Sequence, residues 1–175
     1  VTDEILDYLV ELSKTKEIWI EYGIQSFFDE TLVRINRGEN SANMKYWIKR
    51  SKEKGLNVCG HLIYGLPGEN QEMMLETFKQ TLQLNIDSIK FHPLYVVKNT
   101  LLTNEFKKGK FIPISEELYI DTVVKSIINL PSNISVQRVT AGIDDSTLLS
   151  PEWCRNKHTQ MKNIRLALEK EGFNY

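Results

Sequence analysis

The sequence predicts an α/β fold, a parallel sheet with helices packed outside it, in effect half of a barrel. Strand-like and helix-like segments succeed one another in regular alternation along the 175 residues. The strand-like segments are short, rich in β-branched and aromatic residues and often closed by glycine, which is how parallel strands buried on both faces read. The connections between them are long enough for the crossovers a parallel sheet requires.

In chain order, Thr2 can cap a helix running to about Lys14, with Asp3 and Glu4 in the first turn where the helix dipole favours negative charge. Its apolar positions Ile5, Leu6, Leu9, Val10 and Leu12 need a sheet to cover, so the opening at Val1 reads as a cut inside a longer chain. Glu17 to Gly23 is the first strand. A short helix follows from Asp29 to about Ile35, and Ser41 caps a second from Ala42 to Lys54 that Gly55 stops. Leu56 to Gly65 is the next strand, Leu66 to Asn70 a turn, and Met73, Met74, Phe78, Leu82 and Leu84 recur at helical spacing. Ile86 to His92 is the third strand, and Pro93 to Pro113 reads as a long irregular segment. Ser115 caps a helix to about Asn129, Ile134 to Val139 is a strand, and Ser150-Pro151 opens a final helix that runs to Gly172.

Composition narrows the function. With 41% hydrophobic and 26% charged residues the chain has the make-up of a soluble globular protein with one core. A net charge of -1 gives no bulk basic footprint for nucleic acid, which leaves open only a local patch. The apolar runs are far shorter than a membrane span and no signal peptide opens the chain, so a cytoplasmic protein without a membrane partner is expected. Cys59 and Cys154, 95 positions apart, match no metal or redox spacing.

In barrels of this kind the active site lies at the carboxyl ends of the strands. Side-chain alternation puts Trp19 and Glu21 on the interior face if Ile18, Ile20 and Tyr22 face helices, with Gln25 beginning the loop above. The same rule groups Cys59, His61 and Ile63 on one strand and Lys90 with His92 on the next. One inward Glu or His is usually a satisfied structural residue. Three strands each ending in a polar group favour a site, because such groups are costly inside a barrel unless paired or met by a ligand. The Gly65-Leu-Pro-Gly68 turn supports two readings equally, a tight strand-to-helix turn or a close approach of backbone to a ligand.

Glu21-Tyr-Gly-Ile-Gln-Ser26, then Asp29 to Gly38, then His61-Leu-Ile-Tyr-Gly-Leu-Pro-Gly68 resemble the fourth and fifth strand regions of radical S-adenosylmethionine (SAM) enzymes. The similarity is greatest to the branch with oxygen-independent coproporphyrinogen oxidases and the catalytic subunit of the elongator tRNA-modifying complex. It is closer still to an uncharacterised bacterial group of Fe–S oxidoreductases that shares the Ser150-Pro-Glu-Trp-Cys154 run. The order and spacing of these motifs are more specific than any one alone, and the resemblance covers essentially the whole chain.

The resemblance implies a partial (β/α)6 TIM-like barrel, of which residues 1–140 are the C-terminal half and 141–175 an extension with a long helix. The family's C-x-x-x-C-x-x-C cluster loop is not in this sequence, so the fragment alone is expected to be inactive. The full-length enzyme would use SAM, a [4Fe–4S] cluster and an external electron donor to form a radical that abstracts hydrogen from an RNA or small-molecule substrate.

Carried over by position, Gln25 and, twelve residues later, Arg37 stand where relatives contact SAM. His61 replaces an aspartate that binds the ribose hydroxyls, and since a neutral imidazole offers one donor and one acceptor, Glu21 can take over that contact. Ile63 would pack on the adenine and backbone near Leu94 would meet its edge; Lys90 and Arg138 are the substrate-side candidates. Without the motif, Arg37 would read as neutralising a helix end and Ile63 as core. No residue is assigned a catalytic or metal-ligand role, and Cys154 reads as a small buried residue before it reads as a reactive thiol.

Two other readings compete, a cluster-free module that binds a nucleotide or partner, and an unrelated barrel enzyme using Glu21 and His61 as acid and base. A barrel cut before this first strand would expose the edge of residues 18–22, and association through that edge, as a homodimer or as an aggregate, is expected.

Overall fold

A computed structural model of the chain describes residues 1–173. Strand β1 (Trp19–Gln25), β2 (Asn57–Tyr64), β3 (Ser88–Pro93) and β5 (Ser135–Arg138) form one parallel sheet in the order β1-β2-β3-β5. Helices α3 (Ser41–Glu53), α4 (Gln71–Leu82) and α6 (Glu116–Ile128) make the crossovers, and α1 (Asp3–Ser13) precedes β1. The parallel sheet with surrounding helices is the predicted class.

Alternation along the strands sorts the two faces. The Tyr22 hydroxyl meets the Trp47 carbonyl and Ser51 Oγ on α3, and the Tyr64 hydroxyl meets Ser126 Oγ on α6, so these positions face helices. Ile24, Val58, Leu62, Ile89 and Phe91 join them in the core with Met44, Ile48, Phe78, Tyr119 and Val123 from the helices. The opposite face therefore carries Glu21 from β1, His61 and Ile63 from β2, and Lys90 and His92 from β3.

The helix starts follow their side-chain caps. Thr2 Oγ1 accepts from the Ile5 amide, and Ser115 Oγ from that of Leu118, as expected. At α3 the cap is Asn40, one residue before Ser41, since its Oδ1 accepts from the Asn43 amide at 2.9 Å.

Two segments differ from the sequence reading. Between Pro93 and Pro113 lie a two-residue strand β4 (Val96–Val97) and a helix α5 (Leu101–Lys107) capped by Thr100, where an irregular segment was expected. Ser150 belongs to strand β6 (Leu148–Ser150), antiparallel to β4, and is followed by a 3-10 turn (Glu152–Arg155). The final helix α7 (Lys157–Lys170) starts at Asn156, whose Oδ1 accepts from the Thr159 amide, and not at Pro151, because Ser150 is engaged in the β4–β6 ladder. Within 141–173, Ile164 and Leu168 of α7 enter the main core.

Candidate functional site

Adjacent parallel strands in register place Glu21 opposite Cys59 and His61 opposite Lys90, so three polar side chains converge above the sheet. Lys90 Nζ donates to Glu21 Oε1, and His61 Nε2 lies 2.8 Å from Glu21 Oε2. That second contact makes Glu21 the neighbour of the solvent-shielded Nε2. Lys90 is only 13% exposed in its side chain against 44% for Glu21, so the carboxylate is the solvated partner of a largely buried ammonium. The Lys90 hydrogen bond holds the Glu21 carboxyl below its ordinary range, while burial pulls His61 down, opposed by Glu21, and favours its neutral form. His92 is also pulled down by burial, and its ring packs on Tyr95 with centroids 5.1 Å apart.

The end of β1 forms the second part of the site. Gln25 sits at φ 65°, a conformation a non-glycine residue adopts only under constraint, where the β1–β2 register slips between Tyr22 and Gln25. Arg37, in the loop after α2 (Asp29–Arg34), turns back so that Nη2 donates to the Gly23 carbonyl at 2.9 Å. A Cβ at position 23 would stand 3.3 Å from Nη2 and 3.7 Å from Gln25 Nε2, so glycine lets the guanidinium lie on the strand beside Gln25. Arg37 Nη2 is directed to β1 and not to the α2 C-terminus.

The remaining predicted residues fall around these two groups. Ile63 is half-buried on the His61 face of β2, and the Leu94 amide donates to the Tyr64 carbonyl at 2.9 Å, continuing the β2–β3 pairing into the loop. Arg138 pairs in register with Lys90, and its charge is felt at Cys59, His61, His92 and Tyr95.

Of the two readings of the Gly65–Gly68 turn, packing accounts for Gly65. At φ 91° it lies where a Cβ would be 2.8 Å from Ile114, so a protein side chain fills the space a side chain at 65 would need. The sequence reading missed Glu69, which accepts a hydrogen bond from Ser26 Oγ and ties the loop after β2 to the loop after β1. Burial pushes its carboxyl up, and Ser26 Oγ also accepts from the Phe28 amide at 3.1 Å.

Both thiols are buried. Burial raises Cys59 and pushes Cys154 up to about 12, so neither is a nucleophile at neutral pH. Among the described residues no group of three His, Cys, Asp or Glu side chains is placed to hold a metal ion, and the residues present do not fit an iron–sulfur cluster. Among the same residues no helix is long and apolar enough to cross a membrane.

The radical SAM superfamily domain matches residues 1–81, and the radical SAM C-terminal domain residues 86–170. Protein YhcC of Escherichia coli K12 is 36% identical over 173 residues, covering 98% of this chain and 56% of that protein. The tRNA uridine(34) acetyltransferase of Methanocaldococcus infernus is 26% identical over 151 residues, covering 85% of this chain and 28% of that protein. The structure of an N-terminally truncated Elp3 from the same archaeon superposes with a TM-score of 0.83 over 96% of this chain and 39% of its own, at 24% identity, and so shares the fold. The chain spans about half the length of curated relatives such as YhcC.

Proposed function

Because the chain belongs to the radical SAM superfamily, we propose that its strand ends form part of the SAM-binding wall of a radical SAM enzyme. The observation that carries this reading is the pair Gln25 and Arg37 gathered around Gly23, beside His61 Nε2 held 2.8 Å from the Glu21 carboxylate. A side-chain-free strand position flanked by an amide and a guanidinium is what a polar, partly planar ligand would fill.

In this reading Gln25 and Arg37 bind the polar end of SAM, His61 and Glu21 take the ribose hydroxyls, Ile63 covers one adenine face, and backbone at Leu94 meets the adenine edge. Lys90 fixes Glu21 as the charged acceptor, and burial keeps His61 neutral so that Nε2 can serve a neutral hydroxyl. SAM held by these residues, with a [4Fe–4S] cluster that other residues of the full-length protein would hold, would supply the reductive radical chemistry of the family. An external reductant is required. Lys90 and Arg138 face the substrate, for which the likeness to a tRNA uridine(34) acetyltransferase supports RNA over a small molecule.

The test is anaerobic reconstitution of the full-length protein, reduction, and assay for 5′-deoxyadenosine from SAM. A brown protein that forms it, and loses most of that activity in Arg37→Ala, is the expected result. A colourless protein that leaves SAM intact would refute the reading.

A further inference from the structure

Between β5, the edge strand of the sheet, and α7 lies an open cavity of about 500 Å³ that the wall described above does not use. Arg138 reaches it from β5, and Lys157, Met161 and Arg165 from one face of α7. No acidic side chain lines it. Among the described residues none of the three cations takes part in an ion pair. In a chain of net charge -1, three unneutralised cations around one cavity make a local positive patch.

We propose that this groove binds the phosphate backbone of a single-stranded RNA substrate and leads it to the strand ends. Lys157 and Arg165 are eight residues apart on one helix face, about 12 Å along its axis, which is too far for one phosphate group and suits a strand that presents several in succession. Between them Met161 is 42% exposed, an apolar and polarisable surface on which a base can rest. Arg138 belongs to both regions. It lines the groove, and it also stands in register with Lys90 close enough to influence His92 and Tyr95, whose packed rings offer further stacking surface beside the site. An acidic peptide would satisfy the charges but would make no use of Met161 or the ring pair. The proposal rests on the preceding reading only for what the bound strand meets at its far end.

The experiment is fluorescence anisotropy of a labelled single-stranded RNA with the full-length protein and with Lys157→Ala/Arg165→Ala, across a salt series, alongside titration of the same proteins with S-adenosylhomocysteine. Both substitutions are on exposed helix positions, so circular dichroism should be unchanged. RNA affinity is expected to fall at least tenfold in the double variant, with a salt slope shallower by about 1.4, at about 0.7 per phosphate contact. S-adenosylhomocysteine affinity should not change. Equal RNA affinity and slope in both proteins would overturn the proposal, as would displacement of RNA by a polyglutamate peptide at equal charge concentration. Loss of S-adenosylhomocysteine binding from the unmodified protein with the RNA effect intact would count against the SAM wall alone.

Discussion

Arg37 donates from Nη2 to the carbonyl of Gly23 at 2.9 Å, and the missing side chain at position 23 is what lets it do so. Gly23 is not in the left-handed region, so alanine there is compatible with the backbone, and its Cβ would press on the guanidinium at 3.3 Å. Gly23→Ala should therefore behave like Arg37→Ala in ligand binding, weakening S-adenosylhomocysteine at least tenfold, while thermal stability changes little. Calorimetric titration paired with a melting curve checks both halves.

His61 makes acid stability depend on this site. Burial lowers its folded pKa below the unfolded value of about 6.5, so the unfolded chain takes up the proton first. Its contribution is fully present above about pH 6.5 and is lost as pH falls through the folded value. His92, lowered by burial too, acts in the same direction. His61→Gln should then lose less melting temperature between pH 7.5 and 5.5 than the unmodified protein, with His92 supplying the remainder. Identical losses would show that His61 is not desolvated.

Gly65 is held by packing. With φ at 91° and Ile114 2.8 Å from the place of a Cβ, Gly65→Ala combines backbone strain with overpacking and should cost about 2 to 4 kcal/mol in urea denaturation.

Strand β1 pairs only with β2 in the described sheet, which leaves its other edge open. The isolated chain is predicted to self-associate there by strand pairing. Light scattering at high concentration checks this, and a monodisperse monomer would contradict it.

Much of the fold could be read because local signals agreed with the tertiary structure. Thr2 and Ser115 cap the helices they were expected to cap, and period-two alternation correctly grouped His61 with Ile63 and Lys90 with His92. The contact of Glu21 with both His61 and Lys90 was not legible, because it depends on strand register, which no short window encodes. Helix α5 escaped for a different reason: at seven residues it is too short to show a hydrophobic period, and only the Thr100 cap marked it. Ser150-Pro151 misled because a cap-like pair can equally end a strand, and the β4–β6 ladder decided between the two. Glu69 needed the fold itself, since its partner Ser26 lies 43 residues away.

The account stands on one claim, that Gln25 and Arg37 jointly hold the polar end of an adenosyl ligand. Titrating the full-length protein with S-adenosylhomocysteine, then repeating with Gln25→Ala/Arg37→Ala, tests it directly. Saturable one-to-one binding that disappears in the double variant while the fold persists is the predicted result; equal affinity in both proteins would contradict it.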